Sequence, residues 1–509
     1  MADAVRGEHL DSSSRVALTR SGRQLRPNLG GAANATNNFR DPAFADNKAL
    51  PLHRWVPWIA GFSASFVQDC LDAFLPKPSE KGRRICVLDP FAGVGTTLVQ
   101  ALLNPSTGLS RARSRQLGAG AVDCVGFEIN PWAALACRAK LHCLNVDPGT
   151  FEQWCDRYRS VAEGEHRGYA RAVHATPRQP CPEPGRGSSG QAAHGRLKPE
   201  AFKTRIPFFS APVERQVLVF LDFVDGITQR EIVDLFRVAL GSVMVSFSNY
   251  TYEPSLGSRS GAGKPLIEHA DVPAAIIRKL SEMAADIRWL KQHLPAAPAR
   301  DATSQVHNLS FLESQNVLPP ACVDLVVTSP PYLNNYHYVR NTRPQLYWLS
   351  LVSSPEQLRR LEQANFGTYW QTVRNADPVA LTFDHPELAA QLKRLRQTRV
   401  EKGPYGGLGW ANYAASYFND CFRFSRVLRR ALARGGVAVI VIGNSIIQGH
   451  EIKTDRLLAD IARQNGLSLV EVRKIRSKRV GASITASAVR QGKPSNAALY
   501  ESAVILRKN

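Results

Sequence analysis

The sequence predicts a doubly wound α/β fold, a mostly parallel sheet with helices on both faces. Three observations carry that expectation. Short, continuously apolar runs recur at Ile85–Leu88, Cys124–Phe127, Val323–Val327 and Val437–Ile442, the pattern of strands buried on both faces. Helical or loop text separates each run from the next, and strands that alternate with helices build parallel sheets. Two of the runs lead into turn motifs, Asp89-Pro-Phe-Ala-Gly-Val-Gly-Thr-Thr97 and Thr328-Ser-Pro-Pro-Tyr332, at the strand ends where such sheets hold ligands.

Composition agrees with a globular chain. Its 509 residues are 44% apolar, enough for a sizeable core. Lys and Arg total 64 against 43 Asp and Glu, a formal net charge of +21, which favours a polyanionic partner, nucleic acid first, through counterion release. Nine cysteines occur without a C-x-x-C pair, so reduced, mostly buried thiols are expected rather than disulfides, and no metal site. No apolar run approaches a membrane span and the N-terminus lacks a signal-peptide stretch. The expectation is a cytoplasmic protein with no membrane partner.

Taken in order, residues 1–48 are rich in Ala, Asn, Ser and Arg without periodicity and read as a mobile tail. Residues 49–150 hold the aromatic segment Trp55–Ser63, a helix through Phe66, Cys70, Leu71 and Phe74, and the first two strands. Residues 151–300 interrupt the alternation as a mainly helical insert, opening on a basic Pro/Gly/Ser-rich linker at about 164–207. Within it, Thr228 and Glu231 have capping-box spacing, and Ile276, Leu280, Met283, Ile287, Leu290 and Leu294 form one helical stripe. Residues 301–509 complete the sheet, with a third strand ending at Val306-His-Asn308 and edge strands at Leu467–Val472 and Ala503–Leu506. They carry a second insert at 333–412, where aromatics mix with Arg.

The chemistry sits in the turns. Gly93 and Gly95 let the backbone turn tightly against a ligand at a helix N-terminus, with Asp89, Pro90, Phe91, Thr96 and Thr97 around them. A phosphate loop would carry Lys after the second glycine, where Thr96 stands; a plain structural turn is the bland alternative. Glu128 follows the next strand, where a carboxylate accepts hydrogen bonds from both hydroxyls of a ribose. Taken singly it is an ordinary surface charge; beside the glycine turn it fits an adenosine-containing cofactor, and Asn308 is placed to meet the adenine. Ser329, Pro330, Pro331 and Tyr332 are the most specific element. Two prolines fix the backbone and remove N–H donors, leaving carbonyl acceptors. An exocyclic amino group needs such acceptors: hydrogen bonds to the Ser329 side chain and the Pro330 carbonyl hold its nitrogen pyramidal, and Tyr332 offers a face for an extruded base.

These two motifs resemble those of the DNA amino-methyltransferases, whose cofactor motif reads Asp-Pro-Phe-x-Gly-x-Gly-Thr and whose catalytic motif reads Ser/Asp/Asn-Pro-Pro-Tyr/Phe/Trp. The resemblance spans about 52–145 and 305–509 and implies a Rossmann-like sheet that binds S-adenosyl-L-methionine. It implies that Phe62, Asp89, Pro90, Phe91, Gly93, Gly95, Thr96, Thr97, Glu128, Asn130 and Asn308 line the cofactor site. Thr-Ser-Pro-Pro-Tyr is typical of cytosine-N4 enzymes, which implies base flipping from double-stranded DNA and, for a restriction-modification enzyme, companion restriction or defence proteins. The residues themselves leave adenine-N6 open, since adenine also presents an amino group. An RNA amino-methyltransferase, usually with Asp or Asn before Pro-Pro, is the other reading. Many family members place the catalytic motif first; here the cofactor motif leads. Either insert is then the candidate reader of the target sequence.

Overall fold

In a computed structural model the described residues are 39–58, 61–76, 84–103, 122–174, 197–252, 255–293, 304–334, 336–478 and 498–509. Of the mobile tail expected at 1–48, residues 1–38 lie outside them, as do Leu294, Cys181 and 175–196 of the expected linker, whereas 39–48 are folded onto the domain, against that expectation. The compact unit begins at Phe39. Residues 44–48 form a 3-10 turn whose buried Asn47 accepts from the Ala64 amide and donates to the Phe62 carbonyl.

The chain then lays down α1 (Ala64–Phe74), β1 (Ile85–Asp89), α2 (Thr96–Leu103), β2 (Val122–Phe127) and α3 (Pro131–His142). The first insert follows as α4 (Pro148–His174), α5 (Ala211–Asp225), α6 (Arg230–Val243), a hairpin of β3 (Tyr250–Tyr252) and β4 (Leu256–Ser258), and α7 (Val272–His293). After β5 (Ser304–His307) and β6 (Val323–Thr328), the second insert holds the short helices α8 (Tyr338–Asn341), α9 (Arg343–Trp348), α10 (Pro355–Gln363), α11 (Trp370–Val373) and α12 (Pro386–Arg396). The long α13 (Gly407–Ala431) leads into β7 (Leu432–Gly443), the hairpin β8 (Ser445–Ile447) and β9 (His450–Ile452), α14 (Thr454–Gln464), β10 (Ser468–Lys478) and β11 (Leu499–Arg507).

The central sheet has seven strands in the order β10-β11-β7-β6-β1-β2-β5. Pairings from β5 to β7 are parallel, whereas β11 runs antiparallel between β7 and β10. Counted along the chain this is a 3-2-1-4-5 sheet with its last strand slotted in before the sixth, a Rossmann-like arrangement. Successive strand residues face opposite cores: Ile85 and Val87 join α1 to α3 and the first insert, while Cys86 and Leu88 join α12 to α14. Strand order reverses between β1 and β6, the switch point at which a crevice opens.

The first insert docks on α3. A Cβ on Gly241 would fall 2.3 Å from the Trp132 ring, so glycine is what lets α6 abut the indole. Two expectations within this insert need correction. Residues 164–174 continue α4 instead of opening a linker: the buried stripe Phe151, Cys155, Tyr158 and Ala162 starts the helix, and no proline intervenes before Pro177. Thr228 and Glu231 form no capping box, because the helix starts at Arg230 with Gln229 as its cap residue and Thr228 bonds the Gln229 side chain. The stripe from Ile276 to Leu290 is buried along α7. The eight described cysteines are free thiols, seven of them buried.

Candidate active site

The carboxyl ends of β1 and β6 are stapled together by side chains. Buried Asp89 accepts from the Thr328 hydroxyl at 2.6 Å and from the Phe91 amide at 3.1 Å. The Thr97 hydroxyl donates to the Val327 carbonyl at 3.0 Å. Burial pushes the Asp89 carboxyl up to about 6, against the hydrogen bonds of Thr328 and Thr97 that favour its charged form. The glycine turn and the Ser-Pro-Pro-Tyr turn therefore leave adjacent strands as one rigid unit.

Within the glycine turn, Gly93 has φ of 51° and Gly95 of 88°, conformations that favour glycine. Packing reinforces the choice at Gly95, where a Cβ would fall 2.6 Å from the Cys137 sulfur. The Gly93 amide donates to Glu128 Oε2 at 2.9 Å and the Asn130 amide to Oε1 at 2.7 Å. Both carboxylate oxygens are thus oriented, and each keeps a further lone pair. Burial raises the Glu128 carboxyl to about 7, with the nearby Asp89 charge adding to the rise and the two amides opposing it.

Ser329 and Pro331 line a cleft together with Pro90, Phe91, Gly93, Glu128 and Asn130. The remaining sequence-predicted residues sit behind it or beside it. Asp89, Gly95, Thr96 and Thr97 support the turn. Asn130 caps α3 through the Trp132 amide, and its side-chain amide donates to Thr342 Oγ1 of the second insert at 2.8 Å. The exposed Asn308 spends its amide on the carbonyls of Glu128 and Ile129, at 2.7 and 3.1 Å, and so pins the loop after β2. Phe62 points into the core against Phe66, 6.1 Å between ring centres. Tyr332 lies outside the cleft: its hydroxyl donates to Glu501 at 3.2 Å, and a Cβ on Gly443 would touch its ring at 3.2 Å. The Pro331 carbonyl accepts from the Tyr417 hydroxyl at 2.9 Å.

Several cleft residues escaped sequence reasoning. Trp58 comes from the aromatic segment that pointed to Phe62, and its indole stands over Gly93. Leu309, Ser310 and Phe311 follow β5 and extend the wall beyond Phe127 and Ile129. Tyr338, Asn365 and Phe366 arrive from the second insert, Phe366 stacking edge-on against Phe91 at 5.1 Å. Only the run after Asn308 and the aromatic text near Trp58 carried a usable signal; Phe366 carried none.

No protein-family model matches the chain. The chain is 22% identical over 510 residues to the type II methyltransferase M.BsoBI of Geobacillus stearothermophilus, a match covering 93% of this chain and 89% of that protein. The chain is a methyltransferase of Rossmann-like fold. Among solved structures, the methyltransferase is similar to a candidate DNA modification methylase of Thermus thermophilus, at 16% identity and a TM-score of 0.18. That match covers 39% of this chain and about half, 51%, of the other. A second is the rRNA methyltransferase AviRa of Streptomyces viridochromogenes, at 10% identity and a TM-score of 0.24, covering 90% and 85% of the two chains. At such scores the fold rests on the strand order of the methyltransferase itself. Among its described residues no helix is long and apolar enough to cross a membrane.

Proposed function

We propose that this methyltransferase uses S-adenosyl-L-methionine to methylate the exocyclic amino group of cytosine, at N4, in double-stranded DNA. One observation carries the reading: Ser329 and Pro331 of the Ser-Pro-Pro-Tyr turn open into the same cleft as Gly93 and Glu128. The residues present fit the cofactor. Glu128 keeps lone pairs for two ribose hydroxyls, Phe127, Ile129, Leu309 and Phe311 form apolar walls for a flat adenine, and the glycine turn admits close backbone approach. When bound, S-adenosylmethionine supplies a methyl group on a cationic, electrophilic sulfur.

The chain's own residues supply position and polarity. The Ser329 hydroxyl and the Pro330 carbonyl accept from the amino group, turning its lone pair out of conjugation and toward the cleft. The Tyr417 bond to the Pro331 carbonyl and the Tyr332 bond to Glu501 hold the turn in that attitude. No strong base is required, because the alkylated amine is acidic enough to release its proton to a weak acceptor. A flipped base supplies the amino group, and Tyr332, outside the cleft, acts by holding the turn through Glu501 and not by lining the pocket. The charge of +21 suits a polyanionic substrate. Double-stranded DNA is the macromolecular partner.

The test is to incubate defined DNA and RNA with methyl-labelled cofactor and identify the modified nucleoside. Label in N4-methylcytosine is expected. Label in N6-methyladenine, or only in RNA, would replace this reading by one of its two alternatives. Ser329→Ala should lower kcat by at least about tenfold, the worth of a charge-organising hydrogen bond; normal turnover by that variant would remove Ser329 from the mechanism.

A further inference from the structure

The second insert ends in an arch that none of the chemistry above uses. Trp410, at the start of α13, stacks on Trp370 with ring centres 4.9 Å apart and planes 15° from parallel. The Arg374 guanidinium lies 4.7 Å from the Trp370 ring and 4.7 Å from the Tyr405 ring. Trp410, Trp370, Arg374 and Tyr405 thus form one stacked cluster, and its outermost member, Tyr405, is 59% exposed. Val400, five residues earlier in the same arch, is 64% exposed.

The arch is built to stay in place. Arg399 enters it at φ of 51° and Gly403 turns it at 52°. Gly407 closes it so tightly that a Cβ there would lie 1.7 Å from the Leu395 carbonyl oxygen. Thr398 bonds His450 at 2.8 Å, on the hairpin that follows Gly443. Tyr417, further along the same helix as Gly407, bonds Pro331. Helix α13 therefore connects the arch to the Ser-Pro-Pro-Tyr turn across ten residues, roughly 15 Å of helix.

Positive charge is denser in the second insert. Between 333 and 412 there are ten Lys and Arg against six Asp and Glu; between 151 and 300 there are twenty against sixteen, the same excess spread over nearly twice the length. Lys393, Arg394 and Lys402 of the second insert are exposed around the arch. Tyr405 is held by the Arg374 guanidinium and, edge-on at 5.5 Å, by Trp370, yet keeps more than half of its surface in solvent; a fixed, exposed aromatic near exposed cations is a stacking platform for a nucleobase.

We propose that the arch Arg399–Tyr405 enters duplex DNA beside the extruded base, with the exposed ring of Tyr405 stacking on a base left in the helix. Val400 fills the adjoining gap, as apolar wedges do where a base step is unstacked. This rests on the proposed action on a flipped base in DNA, and it assigns duplex engagement to the second insert.

The experiment begins with the full-length wild-type protein on unmethylated genomic DNA, the modified positions being mapped by sequencing. A short duplex carrying the mapped site then serves for kcat/KM and for cross-linking with 5-bromouracil placed beside the target. Tyr405→Ala should lower kcat/KM on the paired duplex by roughly five- to a hundredfold, the range of one base–aromatic stack. Tyr405→Phe should restore it. Mispairing the target base, which lowers the cost of extrusion, should shrink the Tyr405→Ala deficit, and the cross-link should map to Arg399–Tyr405. Wild-type methylation with an undiminished Tyr405→Ala variant, or with cross-links only in the first insert, overturns this inference and leaves the proposed function standing. A wild-type protein that methylates no DNA overturns both.

Discussion

Glu128 shows how a single residue ties sequence to affinity. Its carboxyl, raised by burial to about 7 from an ordinary 4.5, is half protonated near neutrality in the free protein. Ribose hydroxyls donate to the charged form, so cofactor binding has to expel the proton. Affinity for S-adenosylmethionine or a stable analogue should therefore climb as pH rises from about 5 to 7 and level off above, by calorimetry. The sign for the free protein is opposite. A folded-state value above the unfolded one means that stability through this group is greatest at low pH and is lost as pH rises from about 4.5 through 7. Glu128→Gln should bind weakly with a flat pH profile; an unchanged profile would show that another group titrates. Glu128, Gly93 and Ser329 were legible because their chemistry is local, a strand end plus a turn whose residue types leave few options. Asn130 and Asn308 were less sharply specified: a short polar side chain at a strand end serves a helix cap or a loop carbonyl as well as a ligand, and Asn130 both caps α3 and lines the cleft.

At the scale of elements, the first insert acts on the cleft from a distance. Asp286 of α7 is buried and accepts from the Leu52 amide at 2.9 Å, from the Trp55 indole at 2.8 Å and from the Arg54 guanidinium. These three donors precede Trp58, whose ring covers Gly93. Asp286→Ala would leave a backbone amide, an indole N–H and a partly buried cation without their acceptor. A loss of about 3 kcal/mol in unfolding free energy is expected, less than a fully buried pair would show, because Arg54 remains about a third in water. Cofactor affinity should fall with it, while Asp286→Asn, which keeps an acceptor oxygen, should recover much of both. Denaturant midpoints together with calorimetry check this; full stability in Asp286→Ala would show that the clamp is not what holds the segment. Strands and the α7 stripe were readable in the sequence because burial on both faces or along one stripe writes a period. The second insert was not, since its short helices α8 to α12 owe their conformation to aromatic stacking and to side-chain caps such as Ser354 and His385. Such contacts leave no repeat.

Over the whole molecule, the excess of +21 favours a polyanionic partner but does not say where it would bind. Both inserts carry the same net excess, but the second concentrates it in about half the length. If the second insert faces the duplex, neutralising its exposed cations should change the ionic character of binding, and neutralising those of the first insert should not. Each phosphate contact removed lowers the slope of log affinity against log salt concentration by about 0.9 on B-form DNA. Arg394→Gln with Lys402→Gln should therefore reduce the slope by about 1 to 2 in fluorescence anisotropy of a labelled duplex, with affinity falling most at low salt. The matched control is Arg215→Gln with Arg230→Gln, exposed positions on α5 and α6, for which the slope should hold. Net charge falls by two in both pairs, so long-range attraction changes equally and only the local contacts differ. A lower slope in the first-insert pair alone would move the duplex to the other side of the sheet and make α5 and α6 its reader.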